Sequence, residues 1–326
     1  MVMQQILLRA PGSIDNLAWQ ETNLSPPAAH EVQIRHEAIG VNFIDIYHRT
    51  GLYPQPSYPA GLGVEGAGTI AAVGSAVKSF RPGQRVAYVA ATPGSYATHR
   101  NLPADRLVLL PDWLDSATAA AVLLQGLTAE FLSHAVHEIL PGEAVLLHAA
   151  AGGVGLLLAQ WAATNGATVI GTVGSMEKEV IAKAHGCRHV INYRTEDFVA
   201  RVKELTKGEG VHVVYDSVGA TTFDGSLQAL RPRGIMVSYG QASGSIPPFE
   251  ISRLVSGGSL YLTRPSLFHY IATPEELQRR AAHLFLVLKA GTLKAPPITR
   301  FALAEAGKAQ TALESRETAG KIILLP

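Results

Sequence analysis

Four apolar residues, Ala144 to Leu147, run into His148-Ala149-Ala150-Ala151-Gly152-Gly153-Val154-Gly155, and from Val154 onward Leu156, Leu157, Ala159, Ala162 and Ala163 form an apolar stretch that Gly166 can end. The pattern reads as a buried parallel strand, a glycine turn and a helix. Between strand and helix, Gly152, Gly153 and Gly155 let backbone N–H groups come close to an anion at the helix N-terminus. Against the dinucleotide frame G-x-G-x-x-G, residues 150–155 keep the second and third glycines and carry Ala at the first. A turn that only packs a helix on a strand has the same composition, so the surroundings must decide.

The next strand bears on which dinucleotide would fit. An NAD site usually has Asp or Glu about 20 residues beyond the glycines, to bind the ribose hydroxyls. Here the strand ends Gly171-Thr172-Val173-Gly174-Ser175, without an acid. Ser175 offers a hydroxyl at a helix start, and Lys178, one turn in, is placed to meet a 2′-phosphate, which points to NADP(H). Glu177 could reach a ribose in a rotated turn, and Lys178 also reads as an ordinary exposed helix lysine.

These residues need a scaffold. The chain has 326 residues, enough for about two domains. From Met1 to about Leu123, short candidate strands (4–9, 32–36, 67–73, 85–90 and 107–110) alternate with Pro- and Gly-rich turns, which predicts an antiparallel, barrel-like module. The glycine-dense segment 61–68 suggests backbone passing close to something. From Leu124 to about Arg264, strands at 144–147, 168–173, 189–192, 211–215, 235–239 and 259–262 alternate with helices. Together they predict a doubly wound parallel six-stranded sheet, an α/β Rossmann domain. A helix over 274–288 and a strand over 322–325 follow, and 265–326 is expected to return to the first module, making the Rossmann domain an insertion.

Lys plus Arg number 27 against 26 Asp plus Glu, so no basic excess points to nucleic acid. Cys187 is the only cysteine, which excludes an intrachain disulfide and any multi-thiolate metal site. No apolar run looks long enough to span a bilayer, and the N-terminus lacks a signal-peptide pattern. The expectation is a soluble cytoplasmic protein. His36, His48, His99 and His148 lack ligand spacing and read as structural or surface residues.

Several segments carry a resemblance: Asn42-Phe43-Ile44-Asp45, Gly63-Val64-Glu65-Gly66-Ala67-Gly68, Gln125-Gly126-Leu127-Thr128-Ala129, the run from Glu143 through Gly155, Val190-Ile191-Asn192-Tyr193, Val214-Tyr215-Asp216-Ser217-Val218-Gly219 and Leu260-Tyr261-Leu262-Thr263-Arg264-Pro265-Ser266. Over essentially the whole length the chain resembles the medium-chain dehydrogenases/reductases, in particular their zinc-free NADPH:quinone oxidoreductase branch. The resemblance implies a GroES-like substrate domain over 1–123, a cofactor domain over 124–264 and a C-terminal return over 265–326. It implies Asn42, Tyr47 and Tyr53 around the nicotinamide and acceptor, with Asn42 and Thr128 also touching the cofactor. Gly153 and Val154 would serve the pyrophosphate, Gly174, Ser175, Lys178 and Tyr193 the adenosine phosphate end, and Tyr239, Gly240, Gln241 and Arg264 the nicotinamide side. Gly320-Lys321 matches a pair that approaches the cofactor in related chains, although a surface lysine is an equal reading. It further implies a homodimer joined through the edge at 259–263.

Zinc-dependent members carry a Cys near Asn42 and a His near Val64; without those ligands no three-ligand site remains, and no metal is expected. A quinone accepts hydride readily because its reduced anion is aromatic, so the protein mainly has to hold two flat rings in a dry cleft. A tyrosine hydroxyl could protonate the product, although the tyrosines also read as core packing with satisfied hydroxyls. An NADPH-dependent reductase of enones or enals would use the same cleft, and a low-turnover NADPH-binding protein with a structural or RNA-binding role stands as the third reading.

Overall fold

The computed structural model describes residues 2–326 and divides into two units. The first runs to Leu124 and resumes over Ile271–Ala282 and Ala295–Pro326; the second takes Gln125–Tyr270 and His283–Lys294. The sequence reading placed all of 265–326 with the first unit, whereas 283–294 cluster with the second. Two contacts account for this: Leu284 fills the space beside Gly126, and Gln160 bonds the backbone of Lys294 in both directions, at 3.1 and 2.8 Å.

The first unit opens with β1 (Val2–Leu8), β2 (Leu17–Asn23), β3 (Glu31–Val41), β4 (Ala60–Gly61), β5 (Glu65–Val73), β6 (Arg85–Val89), β7 (His99–Pro103) and β8 (Leu107–Leu109). β1 pairs antiparallel with β2 and β4. Strands β2 and β7 were not expected, because neither alternates apolar with polar residues. Most of β2 is exposed or half-buried, and its pairing with β1 rather than a buried face holds it. The glycine-dense segment proves to pass close to the protein itself. A Cβ on Gly68 would lie 2.0 Å from the Arg35 carbonyl oxygen on β3, and one on Gly63, at φ +85°, would lie 2.4 Å from the Tyr96 ring.

The second unit is built on β9 (Ala144–Leu147), β10 (Thr168–Val173), β11 (His189–Asn192), β12 (Val211–Asp216), β13 (Leu230–Ser238) and β14 (Tyr261–Thr263). They form one parallel sheet in the order β11-β10-β9-β12-β13-β14. The order reverses between β9 and β12, which is the switch point where doubly wound sheets bind ligands. Leu146, Ile170, Ile191, Val214 and Met236 bury one layer of its core.

The chain then returns to the first unit with β15 (Ile298–Ala302) and β16 (Lys321–Leu325). β16 lies between β15 and β3 in a seven-stranded sheet, β15-β16-β3-β5-β6-β8, with β7 also on β3. The sheet is antiparallel apart from the β15–β16 pair.

One correction concerns apolar length. The segment Ser116–Val136, an α-helix to Phe131 with a π-helical turn after it, is long and apolar enough to cross a membrane by composition alone. Because 78% of its most apolar window is buried within the protein, it is a core helix.

Candidate active site

In the first unit the site is organised by a short helix, Phe43–Thr50, entered through Asn42. The Asn42 backbone N–H donates to Asp45 Oδ2 at 2.9 Å, closing the first turn and fixing the direction of the Asn42 side chain. That side chain meets two charges. Its Oδ1 accepts from Lys321 Nζ at 2.7 Å, and its Nδ2 donates to Glu65 Oε2 at 3.0 Å. Lys321 Nζ also bonds Glu65 Oε2 at 2.7 Å, and the other Glu65 oxygen accepts from the Leu124 N–H at 2.7 Å. Glu65 and Lys321 are both essentially inaccessible. The surface reading of Lys321 is therefore overturned: β16 carries its ammonium inward onto β3 and β5. Room for the carboxylate comes from Gly40, where a Cβ would sit 2.1 Å from Glu65 Oε2 and 2.7 Å from the Ala120 carbonyl oxygen.

Below this cluster lies Asp45, fully buried, with Oδ2 also accepting from the Tyr96 hydroxyl at 3.0 Å and Oδ1 without a hydrogen-bond partner. Burial raises its pKa to about 7, against the lowering pull of the Asn42 and Tyr96 hydrogen bonds and of Lys321. Farther along the helix Tyr47 is buried, and the Tyr53 ring meets it edge-on with centroids 5.2 Å apart. His48 lies edge-on to Tyr53 at 6.1 Å; burial lowers its pKa, and its Nδ1 has no hydrogen-bond partner. Asn42, Tyr47, Tyr53 and Lys321 thus all belong to one turn-and-strand assembly of the first unit.

In the second unit, β9 leaves the sheet through Ala149 at φ +52° and enters the helix Gly153–Thr164, with Gly152 as its N-cap. Two glycines are fixed by close approach. A Cβ on Gly155 would lie 2.4 Å from the Ala149 carbonyl oxygen, within the backbone of the turn, and one on Gly153 would lie 1.8 Å from Gln125 Oε1. That Gln125 oxygen is buried and lacks a hydrogen-bond partner. A bare glycine cradle at a helix N-terminus beside an unsatisfied acceptor fits a dinucleotide, with the N–H groups on the pyrophosphate. Thr128 lies one helical turn from Gln125 and is likewise buried.

At the end of β10, Ser175 caps the helix Met176–Ala184, its Oγ accepting from the Lys178 N–H at 3.4 Å. Gly174 lies beneath Tyr193: a Cβ there would be 2.5 Å from the Tyr193 hydroxyl. Gly174, Ser175, Lys178 and Tyr193 are therefore brought together. Glu177 is fully exposed, and its pKa is lowered chiefly by a hydrogen bond with Ser175. On the far side of the sheet Arg264 NH1 donates to the carbonyl oxygens of Ser238 at 2.8 Å and Gly240 at 3.0 Å, tying down the turn that holds Tyr239, Gly240 and Gln241. Gln241, Arg264 and Ser238 line an open cavity of about 400 Å³ with Phe223, Phe249 and Leu262.

Comparison with known proteins places this arrangement. The family model for the alcohol dehydrogenase GroES-like domain matches residues 28–112, and that for the zinc-binding dehydrogenase matches 153–283. The quinone oxidoreductase of Pseudomonas aeruginosa is 46% identical, with 99% of each chain covered. The chain belongs to the quinone oxidoreductase family. The crystal structure of Escherichia coli quinone oxidoreductase complexed with NADPH superposes with a TM-score of 0.97 at 44% identity, covering 99% of this chain and all of that one. The 2-haloacrylate reductase of a Burkholderia species is 42% identical over the whole of this chain and 99% of its own.

In this quinone oxidoreductase homologue, several residues of the site were not picked out by sequence. Glu65 reads from sequence as a hydrogen-bonding scaffold carboxylate, as it is here, but its partner Lys321 is not evident, and Gly40, Asp45 and Gln125 have no role assigned. Gln125 carried a signal, since it stands one helical turn before Thr128. Among the described residues no three of His, Cys, Asp and Glu are grouped to hold a metal ion.

Proposed function

We propose that this chain reduces quinones with NADPH, as a zinc-independent, cytoplasmic homodimer. The full-length likeness to quinone oxidoreductases, one of them solved with NADPH, carries the reading. The nicotinamide, when bound, supplies a hydride from C4 to the acceptor. The chain's own residues bind and orient. Backbone N–H groups at Gly153 and Val154 receive the pyrophosphate, with Gln125 and Thr128 beside them, while the Gly152 N–H donates to the Ala149 carbonyl oxygen at 2.9 Å and closes the turn. Ser175, Lys178 and the Tyr193 hydroxyl, with no acid at the end of β10, suit a 2′-phosphate. Tyr239, Gly240, Gln241 and Arg264 shape the nicotinamide side.

Asn42, held by Lys321 and Glu65, and the Tyr47–Tyr53 pair present polar groups and flat faces to the reacting rings. No strong acid is needed, because the reduced quinone is a stabilised anion; a tyrosine hydroxyl serves as hydrogen-bond donor to its oxygen. The donor set also supports zinc independence. Glu65 already has an ammonium at 2.7 Å, and a divalent cation would have to displace it.

The deciding assay follows oxidation of NADPH and of NADH with matched quinones and enones, with and without a chelator. Quinones turning over with NADPH, insensitive to chelation, are expected. Lys178→Ala should narrow the preference for NADPH over NADH by roughly tenfold, the worth of one charge-assisted phosphate contact. Equal use of the two dinucleotides by the wild type would sink the cofactor assignment. A second reading, reduction of activated carbon–carbon double bonds, is favoured by the 2-haloacrylate reductase relative. Enones outrunning every quinone would put it first.

The dimer rests on β14, which among the described residues pairs with β13 alone and leaves its other edge open, with Tyr261 63% exposed. Sedimentation should give a dimer at micromolar concentration, and Tyr261→Lys should shift it toward monomer. A wild-type monomer throughout that range contradicts the assembly.

A further inference from the structure

A chain of buried polar side chains under the second unit's sheet ends is not used by any step above. His148 follows β9, Thr172 lies in β10, Asp216 ends β12, and Ser226 lies in the helix Phe223–Ala229. All four are 1% exposed or less. Thr172 Oγ1 lies 3.0 Å from His148 Nδ1, and His148 Nε2 lies 3.0 Å from Ser226 Oγ. Ser226 Oγ donates to Asp216 Oδ2 at 2.9 Å, and the Thr222 hydroxyl donates to the same oxygen at 2.7 Å. Asp216 Oδ1 accepts from the N–H groups of Val218 at 2.7 Å and Gly219 at 3.1 Å.

The proton positions follow from this inventory. Ser226 spends its one hydrogen on the carboxylate, so its oxygen must accept from His148 Nε2–H. His148 Nδ1 is then bare and accepts from the Thr172 hydroxyl. The donors therefore point one way, from Thr172 to Asp216. Burial lowers the His148 pKa, with Asp216 opposing, which favours this neutral imidazole. Ser, His and Asp here do not form a hydrolytic triad. The carboxylate holds the serine rather than the imidazole, and the serine hydroxyl is sealed from any substrate.

The backbone at each end leads to a cofactor turn. His148 immediately precedes Ala149, at φ +52°, and the glycine cradle. The Asp216 carbonyl oxygen accepts from the Tyr239 N–H at 2.9 Å, and the Ser217 carbonyl oxygen accepts from the Ala242 N–H at 3.1 Å. Gly240 lies so close to Ser217 that a Cβ would stand 2.6 Å from the Ser217 carbonyl oxygen. We infer that Thr172, His148, Ser226 and Asp216 are positioning residues that set the spacing between the pyrophosphate turn and the nicotinamide-side turn, and so the affinity for NADPH. The inference rests on the proposed use of NADPH by this unit. It assigns the network to the dinucleotide alone and not to the acceptor.

The test measures NADPH binding by titration calorimetry and steady-state constants for NADPH and one quinone, on the full chain. Thr172→Val, which keeps shape and removes the donor, and Ser226→Ala should each weaken NADPH binding roughly tenfold, the effect of stranding one buried hydrogen-bond partner. KM for NADPH should rise in step, while kcat and KM for the quinone change far less. Thr172→Ser, which restores the hydroxyl, should bring NADPH affinity back to within about twofold of wild type. Variants that lose thermal stability yet bind NADPH as the wild type does would overturn the inference, as would equal losses toward NADPH and quinone. Wild-type protein that binds no NADPH would overturn this inference and the proposed function together; unperturbed variants beside a binding wild type would overturn this one alone.

Discussion

Lys321→Met should destabilise the first unit by about 3–5 kcal/mol, because it leaves the Glu65 carboxylate buried without its charge partner. Both side chains are sealed from solvent, so water cannot replace the ammonium, and Asn42 loses the donor to its Oδ1 in the same stroke. Urea unfolding followed by far-UV circular dichroism reads the loss. The double variant Lys321→Met with Glu65→Gln should recover a large part of it, since an amide needs no countercharge and can still accept from the Leu124 N–H. If the double variant is as unstable as the sum of the two single ones, the pair contributes nothing as a pair.

Asp45→Asn should change how stability depends on pH. The Asp45 pKa is raised to about 7 by burial, above its ordinary value of 3.8, so the folded protein holds a proton there that the unfolded chain releases. Its contribution is complete below about 3.8 and is lost as pH rises toward 7, by up to about 4 kcal/mol. His36 works the other way. Burial lowers its pKa to about 4, so its contribution is complete above the ordinary 6.5 and is lost as pH falls. Over most of the interval from pH 4 to 6.5 the two slopes oppose one another.

Asparagine keeps an oxygen for the Asn42 N–H and the Tyr96 hydroxyl but carries no titrating proton. The difference in unfolding free energy between variant and wild type should therefore move in favour of the variant as pH is raised from 5 to 8. A constant difference across that range would mean that Asp45 does not titrate there.

The second unit was largely legible from sequence, because its signals are local. Alternation of apolar strands with helices predicts the parallel sheet, and the glycine turn occurs where the third glycine is needed: at Gly155 a side chain would strike the backbone of its own turn. Gly174, Ser175, Lys178 and Tyr193 lie at the ends of two neighbouring strands, β10 and β11, paired in register; position along the chain points to Ser175 and Lys178, whereas Tyr193 joins them only through the resemblance. The polar cluster of the first unit was not legible, since its members meet only in space. Lys321 and Glu65 are separated by 256 positions, and no periodicity links them. Asp45 was hidden for another reason. The resemblance singles out Asn42 and Tyr47 in this segment, while the carboxylate that holds Asn42 in place is buried beneath them. β2 was missed because pairing with β1, rather than burial of a face, makes it a strand, and β7 because one of its two buried residues is Arg100, which breaks the apolar alternation.

The position of β16 has a consequence for the order in which the chain is made. The first unit begins with the first strand, yet its seven-stranded sheet has a gap between β15 and β3 until Lys321–Leu325 are available. The second unit has all its parts once Lys294 has been synthesised. During vectorial synthesis the unit that starts later is therefore assembled earlier, and the nascent first unit waits with Glu65 unneutralised against Asn42. The last strand supplies the closing hydrogen bonds and the charge in one event, so a ribosome stalled before Lys321 leaves a chain whose second unit is complete and whose Asn42 lacks the ammonium that holds its side chain oxygen.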